Sequence, residues 1–289
     1  MISRMKRLGG IAGLLGVAAL TVIASSPGPA GAMIIPGRSS AASARSQDEL
    51  IPLYDDADAS DWTQACSTVN GSGGGSWIIA DVDEGQGPGP APVPAWASVI
   101  DNCYQDGRAS VIGYVDTDYG QASIATIESQ IKAWYSFYPG DIAGIFFDRV
   151  SDTIPGTTTS NQSFYRTLDS YVHTHEGNND EVVLNYGANP GSGWMFSSSN
   201  ANNADIVVTF ESDYDTYTTW TQAAWETRYP ASDFAALIYN TGESTAPQPA
   251  SACGSLAQQN IGYVYVGTWY DVLPPYFSSF LADAAQGAC

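Results

Sequence analysis

Eight short apolar runs, each followed by a stretch with helical spacing, fill the chain from residue 50 onward and restrict it to an α/β architecture. The runs are LIPLY (50–54), SWIIADV (76–82), ASVIGYV (109–115), IAGIFFD (142–148), EVVLNYG (181–187), DIVVTFE (205–211), FAALIYN (234–240) and GYVYVGT (262–268). Several are almost continuously apolar, the pattern of strands buried on both faces in a parallel sheet. Between them, Ile124, Ile127, Ile131, Trp134 and Tyr138 recur at steps of three and four and lay an apolar stripe along a helix at 123–138. A second helix is predicted at 163–175. Weaker helical patterns fall at 57–69, 95–106, 194–202, 215–227, 249–259 and 275–286.

Strand then helix, eight times over, is the layout of a single (β/α)8 TIM barrel. An open doubly wound sheet has the same alternation, but no run is followed by the GxGxxG phosphate loop that such folds use. Polar residues instead gather where the runs end: Tyr54, Asp55, Asp81, Asp83, Asp116, Asp148, Asn185, Glu211, Tyr239, Thr268 and Trp269. In a barrel these converge on one mouth, where barrel enzymes carry their sites.

The N-terminus reads as a signal peptide over 1–32: Arg4, Lys6 and Arg7, an apolar run too short to span a bilayer comfortably, then the small residues Ala30, Gly31 and Ala32. A linker is expected at 33–49 and one barrel domain at 50–289, in a secreted, extracellular, monomeric protein with no stable membrane insertion after cleavage. Past residue 32 the chain carries all 30 acidic residues but seven basic ones, a formal charge of −23. That surface repels nucleic acid and anionic membranes. Four cysteines in an exported chain favour two disulfides, with Cys66–Cys103 and Cys253–Cys289 preferred because each ties together neighbouring elements.

Asp148 after GIFF and Glu211 after IVVTF place carboxylates at the ends of apolar strands, a costly arrangement that asks for a reason. Glycoside hydrolysis supplies one: a facing pair, one acid attacking or stabilising the anomeric carbon and the other protonating the leaving oxygen. Asn185, Asp83, Asp116 and Tyr119 are the residues expected to position sugar hydroxyl or acetamido groups. Aromatics near strand ends, Tyr54, Tyr119, Tyr186, Trp194, Tyr214, Tyr239, Trp269 and Tyr270, offer faces for sugar rings. Other chemistries fit poorly. His173 and His175 fall late in a helix on the barrel's outside, and GxSxG and HExxH do not occur. Asp81, Asp83 and Glu84 open like a calcium loop without its later ligands. No metal and no cofactor is expected.

Along the whole barrel the sequence resembles the spherulin-4 family (spherulation-specific family 4). The resemblance is carried by IPLY (51–54), GQGPG (85–89), IGYVDTDYG (112–120), AGIFFD (143–148), LNYG (184–187) and TFE (209–211). Members of that family include microbial glycosidases acting on α-1,4-linked galactosamine or N-acetylgalactosamine polymers. The resemblance implies a retaining-type, endo-acting glycoside hydrolase with Asp148 as nucleophile or stabilising carboxylate, Glu211 as acid/base and a polysaccharide or oligosaccharide partner. Two positions depart from the family pattern. Arg149 stands where a glutamate usually follows Asp148, and Asp116 where many relatives have a histidine. Arg149 then either contacts substrate or pairs locally; a glycan-binding protein that kept the barrel and lost catalysis is the alternative reading.

Overall fold

A strand that lies between a filled barrel interior and an outer layer of helices has no wet face, and all five residues of SWIIA (76–80) are buried. The computed structural model describes residues 46–54, 56–57, 60–68, 75–106, 109–177, 180–190, 204–242 and 248–287. Its strands are β1 (Asp48–Pro52), β2 (Ser76–Ala80), β3 (Ala109–Asp116), β4 (Ile142–Asp148), β5 (Glu181–Asn185), β6 (Ile206–Asp213), β7 (Phe234–Tyr239) and β8 (Tyr263–Val266). They close into one barrel in chain order, every pair of neighbours parallel and β1 sealed against β8. The connecting helices are α1 (Ser60–Thr68), α2 (Pro94–Asp106), α3 (Ile124–Phe137), α4 (Gln162–His175), α5 (Tyr214–Tyr217), α6 (Gln248–Gln258) and α7 (Phe277–Ala285).

The barrel interior and its helical coat form a single apolar core that includes Leu50, Ile78, Phe146, Val183, Leu237 and Val264. In α3 the expected stripe is realised: Ile127, Ile131 and Trp134 are buried, and the Ser123 hydroxyl caps the helix by accepting from the Thr126 N–H at 3.1 Å. Trp134 lies so close to β3 that a Cβ on Gly113 would come within 2.7 Å of its ring, so the strand passes the indole only because residue 113 has no side chain. The indole N–H in turn donates to the Tyr114 carbonyl at 2.9 Å.

Two elements differ from the sequence reading. β1 begins at Asp48, two residues inside the segment expected to be linker, because Asp48 and Glu49 pair with Tyr263 and Val264 to close the barrel. Glu49 is fully buried there, accepting a short hydrogen bond from the Ser76 hydroxyl. The helix expected at 215–227 is a single turn, α5, followed by a 3-10 turn at Glu226–Arg228. Thr216, Thr218, Thr219 and Thr221 crowd that segment with β-branched side chains that lose rotamer freedom in a helix. The helix expected at 194–202 lies outside the described residues.

Cys66 of α1 and Cys103 of α2 are joined as expected, their Cα atoms 4.8 Å apart. Cys253 is also disulfide-bonded, and Cys289, its expected partner, lies outside the described residues. Among the described residues no helix is long and apolar enough to cross a membrane. The leader expected at 1–32 is outside them.

Candidate active site

β4, β5 and β6 are neighbours in the barrel, so the residues that end them stand side by side at its mouth. Asn185, only 4% exposed at the end of β5, sits between the two carboxylates. Its side-chain amide nitrogen donates one hydrogen to Asp148 Oδ1 at 2.7 Å and the other to Glu211 Oε2 at 2.6 Å. These two oxygens are therefore no further apart than the two bonds laid end to end, about 5.3 Å. The amide cannot flip, because the Gly187 N–H donates to Asn185 Oδ1 at 2.9 Å. Gly187 has φ +61°, and its carbonyl accepts from the Glu211 N–H at 2.9 Å, so one tight turn fixes both the bridge and the acid.

Tyrosine hydroxyls surround the pair. Tyr114, on β3, donates to Asp148 Oδ2 at 2.6 Å. Tyr54 and Tyr270 approach from β1 and from beyond β8, their rings edge-on with centroids 5.8 Å apart. All three phenols are pushed above their ordinary range, by burial first and then by the carboxylates beside them, which keeps each one an O–H donor. Burial also raises Glu211. The Asn185 bond opposes the rise, the negative charge of Asp148 adds to it, and the Tyr270 hydroxyl opposes it.

The aromatic arc continues outward. Tyr270 meets Tyr239 edge-on at 5.7 Å, and Tyr239 lies nearly parallel to Trp269 at 6.5 Å and 21°. Trp269 is 56% exposed and borders a cavity of about 310 Å³ shared with Asn240, Thr268 and Leu273. Asp81, just past the end of β2, is 8% exposed; its Oδ2 accepts from the Gly85 N–H at 2.6 Å while Oδ1 has no hydrogen-bond partner among the described residues. Burial raises its pKa to about 6 against the lowering effect of the Gly85 bond, with Asp148 and Asp83 adding repulsion.

Arg149 turns away from the carboxylate pair. Its Nε and Nη2 donate to the two oxygens of Asp116 at 2.7 and 2.5 Å, Nη2 also reaches Asp118 Oδ1 at 3.1 Å, and the guanidinium lies 5.2 Å from the Tyr119 ring centroid. The backbone is tied there as well. The Tyr119 N–H donates to the Arg149 carbonyl at 2.8 Å, and the Thr117 hydroxyl bonds the carbonyls of Asp148 and Arg149. Asp118, Tyr119 and Arg149 all hold positive φ, of 47°, 57° and 51°. The local pairing foreseen as one role for Arg149 is the one adopted.

The mouth thus gathers Asp148, Glu211, Asn185 and Tyr54 at its centre, with Asp116, Tyr119 and Arg149 on one rim and Tyr239 and Trp269 on the other. Asp83 is exposed in the loop after β2. Tyr186 packs partly buried against the core, Tyr214 opens α5, and Asp55 and Trp194 lie outside the described residues. Tyr114 escaped the sequence reading, which named Asp81 among the strand-end polar residues and Tyr270 among the ring faces without giving either a role beside the carboxylate pair. Tyr114 precedes Asp116 by two positions, so strand alternation turns both toward the same face, a signal that was present in the run.

The chain is thus a closed (β/α)8 barrel whose mouth holds two carboxylates among aromatic faces, and solved structures share that fold. Sph3 from Aspergillus clavatus, solved in complex with GalNAc, is similar over 83% of this chain and 98% of its own, with a TM-score of 0.66 and 21% identity. A chitinase from Rhizomucor miehei aligns over 84% of this chain and 99% of its own, with a TM-score of 0.52 and 11% identity. Residues 49–284 match spherulation-specific family 4, and the chain belongs to that family. Spherulin-4 of Physarum polycephalum is 26% identical over 179 residues, 61% of this chain; the match spans about half the length of that relative.

Proposed function

We propose that the protein is a secreted glycoside hydrolase that cleaves α-1,4-linked galactosamine or N-acetylgalactosamine polysaccharide internally, acting as a monomer after removal of its leader. The observation that carries this reading is the amide of Asn185 held between Asp148 and Glu211. It holds the nearest oxygens of the two acids no more than about 5.3 Å apart, an upper bound that admits the roughly 5–5.5 Å used by retaining enzymes and falls short of the roughly 6.5–9.5 Å that leaves room for an attacking water. Glu211, driven toward its protonated form by burial and by Asp148, is suited to give a proton to the leaving oxygen. Asp148 attacks or stabilises the anomeric carbon from the other side. As the proton leaves, Glu211 keeps the Asn185 amide as a donor, and the buried Tyr270 hydroxyl beside it, which has no hydrogen-bond partner among the described residues, can turn to donate to the charge that develops. Tyr239 and Trp269 offer ring faces to the flanking sugars.

Asp148→Asn and Glu211→Gln are each expected to lower the release of reducing ends from an N-acetylgalactosamine polymer by at least about 100-fold, with the unfolding midpoint unchanged. Wild-type turnover in either variant would reject the mechanism. The anomer first released, read by NMR, tests retention separately. The alternative, a glycan-binding protein that lost catalysis, was prompted by Arg149 standing where the family usually has a glutamate; the ion pairs of Arg149 with Asp116 and Asp118 accommodate the arginine without replacing that carboxylate. Oligosaccharide binding with no reducing ends formed would favour that alternative.

A further inference from the structure

Far from the mouth, at the opposite end of the barrel, α4 and the start of β6 bring one imidazole between two carboxylates. His173 follows Asp169 by one helical turn, so both project from the same face of α4. Asp205 immediately precedes β6. His173 Nε2 lies 3.4 Å from Asp169 Oδ1 and 3.3 Å from Asp205 Oδ2, and the three atoms all lie within 4.8 Å of one another. We propose that Asp169, His173 and Asp205 bind a divalent cation of the zinc class, in a site that pins α4 to the entry of β6.

The separations argue for an ion between the groups. A charge-assisted N–H···O bond closes to about 2.7–2.9 Å. Ligands about 2.0–2.2 Å from a tetrahedral zinc stand roughly 3.3–3.6 Å from each other, and the two edges that start from His173 Nε2 have that spacing, with the ligand atoms of all three residues inside 4.8 Å of one another. Imidazole with two carboxylates is also a donor set that zinc accepts and calcium, which takes oxygen, does not. The carboxylate of Asp205 is already aimed, since its Oδ2 accepts from the Val182 N–H at 2.9 Å. Asp169 is 8% exposed, whereas the side chains of His173 and Asp205 are 28% and 37% exposed, which leaves an entry path and room for water as a fourth ligand. The site lies at the end of the barrel where the strands begin, which serves stability and not the chemistry at the mouth.

The chain has two histidines, which makes the test direct. In chelator-stripped protein titrated with zinc chloride alone, the imidazole NMR signals of His173 should move at one equivalent while those of His175, which stacks on Tyr171, stay in place. Equilibrium dialysis should find one zinc per chain, with affinity at least tenfold weaker in His173→Gln and in Asp205→Asn, and glycan turnover unchanged in both. Zinc that shifts neither imidazole or both, or that binds undiminished to both variants, overturns the site. The NMR arm uses the wild-type protein and stands even if a variant fails to fold.

Discussion

At the mouth of the barrel, Asp148 and Glu211 meet a donor from almost every side: the Asn185 amide for both, Tyr114 for one, Tyr270 beside the other. At the closed end, Glu49 has one oxygen held by Ser76 and the other without a partner among the described residues, and Glu181 is raised by burial and by the acids Asp205 and Asp233. Both regions bury negative charge next to a parallel sheet, yet only the first surrounds it with preorganised dipoles. On the proposed reading, the difference separates acids kept for chemistry from acids tolerated by the fold. The mouth holds charge that a reaction can move between groups, while the closed end stores an electrostatic cost that protonation or a bound cation relieves. Asp81 is the exception at the mouth, with one buried oxygen unclaimed, and a sugar hydroxyl or amide would satisfy it.

The largest effect that can break this comparison lies at the closed end. Glu49 keeps its proton in the fold up to about pH 7, whereas the unfolded chain gives it up near 4.5. Its contribution is therefore fully present below the unfolded value and is lost as pH rises from about 4.5 through 7, a fall of about 3 kcal/mol at most. Glu181, raised to about 8, extends the decline. Chemical unfolding between pH 4.5 and 8.5 should show this slope, and Glu49→Gln should flatten it between 4.5 and 7; equal slopes would mean that the closed end is solvated after all. At the mouth, Asn185→Leu should cost about 100-fold in turnover through lost positioning. Its bond lowers the pKa of Glu211, so without it the alkaline limb of the pH–rate profile should move upward. A limb that stays in place would separate Asn185 from the acid. The smallest change is expected at the rim, where Arg149→Ala removes an exposed ion pair and should shift stability by less than about 1 kcal/mol. A larger loss, measured by the same unfolding assay, would show that the rim carries the fold.

The barrel was legible because its strands are buried on both faces and read as unbroken Val, Ile and Phe runs, punctuated by acids where they surface. Asp148 and Glu211 stood out for that same reason. Asn185 was visible as a strand-end residue, but its bridging role was not, since it depends on β5 lying between β4 and β6 and on the turn at Gly187 that orients the amide. Tyr114 was hidden inside an apolar run, where an aromatic residue passes for core. The β6–β7 connection misled because its Trp and Ala spacing mimics a helix while its threonines oppose one. His173 was correctly placed on the outside of the barrel, but its meeting with Asp205 joins positions 32 apart in sequence and follows only from closure of the barrel.

The corner built from Asp116, Asp118, Tyr119 and Arg149 has a consequence for how relatives of this protein diverge. Replacing Arg149 alone leaves Asp116 facing Asp118 and Asp148 without its counter-ion, and replacing Asp116 alone leaves the Arg149 cation with Asp118 on a left-handed backbone turn beside the carboxylate pair. Each single step costs little in stability but changes the charge next to that pair, so these four positions should be inherited as a block and exchanged as a set. The rim then behaves as an interchangeable cassette, able to be swapped whole between homologues while the Asn185 bridge stays fixed.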